Sequence, residues 1–138
     1  MKGEYQHTVD AKGRLFIPAK LREELGDSFV VTKGLDQCLF LYPRGAWEQL
    51  EENIRKLPMS KSRNLQRFFL SSAADVTVDK QGRIIVPSAL RTYAKLGHDV
   101  TVIGVCERAE IWDREAWDAY NGQLDAASIA LAMEELGF

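Results

Sequence analysis

From Glu4 to Asp10 the side chains alternate in character, with Tyr5, His7 and Val9 facing one way and Gln6, Thr8 and Asp10 the other. That period of two predicts a half-buried strand. Asp10-Ala11-Lys12-Gly13 then turns the chain, because Asp can accept from the backbone two residues on and Gly tolerates a left-handed conformation. Residues 14–17 read as a second short strand. Pro18 suits the first position of a helix, and Leu21 and Leu25 fall on one face over 18–25. Apolar runs near 28–32 and 38–42 predict two more strands. A helix over 43–57 carries Trp47, Leu50, Ile54 and Leu57 on one stripe. Another begins near Ser60 with Leu65, Phe68 and Phe69.

The same order then recurs. Strands are predicted at 74–79 and 83–86, a helix at 87–96 stopped by Gly97, and strands near 99–103 and 109–112. A helix over 113–121 carries Trp117 and Tyr120, and the last runs near 124–136 with Ile129, Met133 and Leu136. The recurrence is in the letters as well. Residues 8–22 return 69 positions later as 77–91, identical at eight of fifteen positions. Leu41-Tyr42-Pro43-Arg44-Gly45-Ala46-Trp47 is answered by Ile111-Trp112-Asp113-Arg114-Glu115-Ala116-Trp117. A period that long is no solenoid repeat, so one small domain has been duplicated and fused. We expect repeats at 5–47 and 74–117, a helical connector at 48–73 and a C-terminal helix at 118–138. Units of ~45 residues are marginal alone, and the obvious partner of each is the other. The aromatic stripes read as core or subunit interface.

Composition is ordinary for a soluble globular protein, with a net charge of −2. The distribution says more. Residues 1–106 hold 16 Lys and Arg against 12 Asp and Glu, whereas 107–138 hold 2 against 8. A basic body with an acidic tail is compatible with a polyanion surface. No apolar run approaches the ~18 residues of a membrane span. The start, Met1-Lys2-Gly3-Glu4-Tyr5-Gln6-His7, turns polar at once, so no secretion signal is expected. A cytoplasmic protein is expected, without membrane partner, cofactor or small-molecule substrate. Cys38 and Cys106 stand in roughly equivalent strand-rich stretches without CxxC spacing, and are expected to be reduced and buried. His7 and His98 are not at matching positions, so no metal site is expected.

The chemistry concentrates in two loops, 10–14 and 79–83. Asp, Gly and Arg keep their spacing in both while the residues between them drift: Asp10, Gly13 and Arg14 in the first, Asp79, Gly82 and Arg83 in the second. Arg after Gly projects from a hairpin tip narrow enough for a major groove ~12 Å wide, where it is the side chain suited to guanine O6 and N7. Lys12 and Lys80 add charge suited to phosphate. The plainer alternative is a well-formed turn whose Arg pairs with Asp across its own mouth. Recurrence of the triad, with Pro four residues after each Arg and Leu-Arg three beyond, favours more than a turn.

Asp10-Ala11-Lys12-Gly13-Arg14 with Pro18, and Asp79-Lys80-Gln81-Gly82-Arg83 with Pro87, resemble the tandem SpoVT/AbrB-type domains of the MraZ family of bacterial transcriptional regulators. Gly3-Glu4-Tyr5-Gln6-His7-Thr8, Gly34-Leu35-Asp36-Gln37-Cys38-Leu39 and Arg67-Phe68-Phe69 extend the likeness to essentially the whole chain. The resemblance implies an α+β fold, a swapped-hairpin β-barrel built from both halves with peripheral helices. It also implies a ring-shaped homo-oligomer in the nucleoid. Such proteins bind short direct repeats of double-stranded DNA upstream of the division and cell-wall gene cluster, their own promoter included. Carried over, Lys12, Arg14, Lys80 and Arg83 contact DNA, and Asp10, Gly13, Asp79 and Gly82 shape the loops. The second loop departs by having Gln81 in the place of Lys12.

Two other classes are to be weighed against a DNA-binding regulator without catalysis. One is an enzyme using Asp10 and Asp79 as paired carboxylates, for which the sequence supplies no nucleophile, phosphate cradle or metal. The other is a structural, protein-interaction oligomer with the loops as subunit contacts.

Overall fold

The alternation at the start becomes β1 (Glu4–Thr8), with Tyr5 and His7 turned inward and Glu4, Gln6 and Thr8 to solvent. The computed structural model describes residues 1–137. The first copy continues as β2 (Arg14–Phe16), α1 (Ala19–Leu25), β3 (Ser28–Lys33), β4 (Leu39–Pro43) and α2 (Arg44–Arg55). The connector is α3 (Met59–Leu65), which widens into a π-helical turn at Gln66–Leu70. The second copy is β5 (Ala74–Thr77), β6 (Arg83–Ile85), α4 (Ser88–Tyr93), β7 (Asp99–Val105), β8 (Arg108–Asp113) and α5 (Arg114–Gly122), followed by α6 (Ala126–Glu134).

All pairing is antiparallel, and the copies exchange their first strands. In a six-stranded sheet ordered β1-β7-β8-β4-β3-β5, β1 of the first copy pairs with β7 of the second, and β5 of the second pairs with β3 of the first. The centre joins the copies as well, with Phe40 opposite Glu110 between β4 and β8. A separate ribbon, β2 against β6, sets Leu15 opposite Ile84. A local pseudo-twofold runs through those two midpoints. The fold is thus α+β, but the expected closed barrel is not what the strand ladder forms. Among the described residues the sheet is open, with β1 and β5 at its edges and the ribbon laid over one face.

Both sheet faces are covered, which is why β3 and β4 read as continuous apolar runs rather than alternations. On the ribbon side Phe29, Val31, Leu39, Leu41, Val100 and Val102 pack with Leu15, Ile84, Leu21 and Leu90. On the other, Phe40, Tyr42, Trp47 and Trp112 form a second core that α2, the π-turn and α5 cover. Its one buried carboxylate, Glu110, accepts from Arg108 Nε at 2.9 Å and from the Trp112 indole at 3.0 Å.

Several elements differ from expectation. α2 stops at Arg55 and leaves Leu57 exposed, since Pro58 disfavours helical geometry in the residue before it. α4 ends at Tyr93 rather than running to Gly97, because Lys95 turns left-handed (φ 51°) and Leu96 N–H returns to Arg91 O at 3.0 Å. The cysteines are not equivalent. Cys38 enters β4 and is buried, but Cys106 is exposed at the tip of the two-residue β7–β8 hairpin with φ 68°, a place where positive φ is required. α6 is helical, yet all of it is exposed, with Leu131 at 66 %.

Candidate nucleic-acid interface

Each loop is organised by its own aspartate. In the first, Asp10 Oδ1 accepts from the amides of Lys12 at 3.0 Å and Arg14 at 2.9 Å. Asp10 Oδ2 takes Arg14 Nε at 2.6 Å, and Gly13 N–H closes the turn onto Asp10 O at 2.9 Å. In the second, Asp79 Oδ1 accepts from Gln81 and Arg83, both at 2.9 Å, Oδ2 from Arg83 Nε at 3.1 Å, and Gly82 N–H returns to Asp79 O at 3.0 Å. The Arg14 and Arg83 amides beside these carboxyls hold them below the ordinary aspartate value, with the guanidinium bonds adding to the effect. The pairing of Arg with Asp across the loop mouth is therefore real. It engages only Nε, and among the described residues the two Nη groups of each guanidinium make no hydrogen bond within the chain.

Both glycines have φ 84° and are buried. A Cβ on Gly13 would lie 2.8 Å from Val86 O and 2.9 Å from Arg91 Nε, and one on Gly82 would collide with Arg22 Nη1. These contacts cross between copies. Ile17 N–H donates to Gly82 O at 3.0 Å and Val86 N–H to Gly13 O at 2.8 Å, so each loop is clamped by the other copy's strand exit. Arg91 Nε is in turn held by Val86 O at 3.0 Å. Arg22 and Arg91, packed on the loops, escaped assignment from the sequence. Their signal was present in the repeated Leu-Arg, but only strand exchange brings each to the opposite loop.

In the ribbon Arg14 sits opposite Ile85 and Phe16 opposite Arg83. Alternation therefore sends Arg14, Phe16, Arg83 and Ile85 to one face, away from buried Leu15 and Ile84. Phe16 and Ile85 are exposed there, and the Arg83 guanidinium lies 5.8 Å from the Phe16 ring. Lys12 and Lys80 stand exposed at the two loop tips. The structure thus gathers Lys12, Arg14, Lys80 and Arg83 around one short ribbon. Asp10 and Asp79 do not form a dyad, since each carboxylate is engaged by its own loop. No group of three His, Cys, Asp or Glu among the described residues could hold a metal.

The family model described as "MraZ protein, putative antitoxin-like" matches twice, over residues 1–68 and 69–136. The chain belongs to the MraZ family. A relative from Desulforamulus reducens is 52 % identical over 132 residues, covering 94 % of this chain and 93 % of its own length. One from Natranaerobius thermophilus is 51 % identical over 138 residues (99 % and 96 %), and one from Heliobacterium modesticaldum is 57 % identical over 121 (86 % and 85 %). All three carry the name transcriptional regulator MraZ. The two model matches divide the chain just ahead of β5, in step with the duplication in sequence and fold. No helix among the described residues is long and apolar enough to cross a membrane.

Proposed function

We propose that this MraZ-family chain is a sequence-specific, double-stranded-DNA-binding regulator of transcription without enzymatic activity, acting in the cytoplasm at the nucleoid. Residues 5–47 and 74–117 are its DNA-binding repeats, 48–73 their helical connector and 118–138 a C-terminal helical segment, whose last residue lies outside the described residues. Arg14 and Arg83 read bases, Lys12 and Lys80 hold phosphate, and Asp10, Gly13, Asp79 and Gly82 fix the loops. The observation that carries this reading is the pair of matching loops on one ribbon, each presenting a guanidinium fixed through Nε with both Nη groups free. Such a group is preorganised for a guanine edge.

A homo-oligomeric ring would array several weak loops at fixed spacing. Exposed Leu124, Ile129, Leu131 and Leu136 supply apolar surface for subunit contact. Against short direct repeats, such as those upstream of a division and cell-wall gene cluster and its own promoter, avidity multiplies affinity by ~10²–10⁴. The second reading is a non-catalytic interaction oligomer in which the ribbon face docks protein. Exposed Phe16 and Ile85 are its support.

Salt-titrated binding to upstream fragments separates the two. An Arg14→Ala, Arg83→Ala double variant is expected to lose operator specificity at ~1–3 kcal/mol per contact. Unchanged operator affinity would falsify the base-reading assignment.

A further inference from the structure

The two loops differ in what flanks them. Beside Asp10 and Ala11, α4 and the turn after it wall an open cleft of about 710 Å³. Ser88, Arg91, Thr92, Lys95 and His98 line it with Asp10. The Asp10 carboxylate is already committed to Lys12 and Arg14. What the cleft offers a ligand is therefore cationic and hydrogen-bond-donating.

The flank of the second loop is built on the same plan with other charges. Asp27 O accepts from Val78 N–H at 2.8 Å where His98 O accepts from Val9 N–H at 2.8 Å, so Asp27 occupies the station of His98. Arg22 is followed by Glu23 where Arg91 is followed by Thr92. Gly26-Asp27 joins α1 to β3, whereas Ala94-Lys95-Leu96-Gly97-His98 joins α4 to β7. Each link opens on or near a left-handed residue: Gly26 has φ 83° and Lys95 has φ 51°. Glycine is the residue such a conformation favours. A lysine stands there instead, exposed on the wall of the cleft.

We propose that the cleft between the first loop and α4 seats a phosphodiester of the DNA backbone, with Lys95 as its principal charge and the Ser88 and Thr92 hydroxyls as donors, and that the second loop has no such seat. The inference rests on the DNA-binding reading above. An ammonium is a compact charge matched to a phosphate oxygen, and the neighbouring loop holds Arg14 for the bases. The pseudo-symmetric halves consequently grip DNA unequally. The first anchors the backbone through the cleft, while the second, with Asp27 beside it, contributes through its loop alone.

Lys95→Gly tests this without threatening the fold, because glycine adopts φ 51° freely, and thermal melting should show no loss of stability. Affinity for an upstream fragment and for a random duplex should fall alike, by about fivefold at ~0.15 M salt, and the log–log salt slope should drop by about 0.9, one counterion's worth. Asp27→Lys, which replaces the acid at the station of His98 with a cation beside the second loop, should tighten both and steepen the slope. If Lys95→Gly keeps the parent slope and affinity, the seat is overturned and the DNA reading stands. If the parent chain binds no duplex at all, both fall. Inorganic phosphate saturating the cleft at micromolar concentration, with the Lys95→Gly slope on DNA unchanged, would make a free anion the occupant and overturn the proposal.

Discussion

The loops at 10–14 and 79–83 carry the same pattern of hydrogen bonds, and glycines of the same φ, yet stand among different charges. One is flanked by Arg91, Lys95 and His98, the other by Arg22 and Asp27. The comparison separates two kinds of constraint. Within a loop, every bond is short-range and demands Asp, Gly and Arg, so duplication has left those three alone. The flanks belong to the opposite copy's helix, where the backbone is held but surface charge is free to diverge. Equal loops in unequal surroundings are what a duplicated binding unit becomes once its halves no longer need to act alike.

The strongest way to break the comparison is to part the copies. β1 and β5 each complete the other copy's sheet, and the ribbon takes one strand from each. A fragment of residues 1–58 loses the partners of β1 and β2, and should forfeit the whole ~5–15 kcal/mol typical of a folded domain. Circular dichroism and sedimentation should find it disordered, or paired with a second fragment that restores the exchange. A monomer that unfolds cooperatively would show the exchange to be dispensable.

Next in size is the clamp itself. Gly13→Val places a β-branched side chain at φ 84° and against Val86 O at 2.8 Å from the new Cβ, so operator binding should be abolished. Gly82→Val meets the flexible Arg22 guanidinium instead of a carbonyl, and should leave more residual binding. Equal loss in the two variants, measured by fluorescence anisotropy, would mean that φ alone sets the requirement.

How much of this was legible in the chain follows the same division. Strand alternation at Tyr5, His7 and Val9, the helical face at Leu21 and Leu25, and both loops could be read because neighbours in sequence determine them. The end of α4 could not: a glycine at position 97 looked like the stop, while Lys95 takes the left-handed turn with tertiary support. Cys106 looked buried by analogy with Cys38, but a two-residue hairpin replaces the longer link of the first copy. Arg22 and Arg91 were visible only as a repeated Leu-Arg. Their place beneath the opposite glycine depends on which copy supplies each strand, a choice made by long-range pairing.

A smaller effect comes from the tip lysines, which the sequence places one residue apart in register. Lys12 precedes Gly13 directly, whereas Lys80 stands two residues before Gly82 with Gln81 between. Lys12→Ala should weaken binding to all duplexes alike and lower the salt slope by about one. Lys80→Ala should change the slope by less if its lysine grips phosphate less directly. A loss of slope in the second that matches the first would make the displacement irrelevant.

The smallest expected effect is on pH dependence. Amides of Arg14 and Arg83 hold the Asp10 and Asp79 carboxyls below the ordinary value, so these groups are charged in the folded loops at neutral pH. For a carboxyl depressed on folding, the stabilisation is fully present above the unfolded value, ~3.9, and is lost as pH falls through the lower folded value. The loops should therefore be insensitive to pH between ~5 and 8 through these two groups, and open only in stronger acid. Carboxyl NMR titration should place both midpoints below those of a free aspartate. Asp10→Asn keeps an oxygen for the Lys12 and Arg14 amides but turns an amide NH2, a donor, toward Arg14 Nε, so it should remove the first loop's acid transition and the Arg14 side-chain bond while the backbone turn, and with it most DNA binding, is preserved. If Asn at 10 were as damaging as Val at 13, the carboxylate's hold on the Arg14 guanidinium, and not its hold on the backbone, would be what the loop requires.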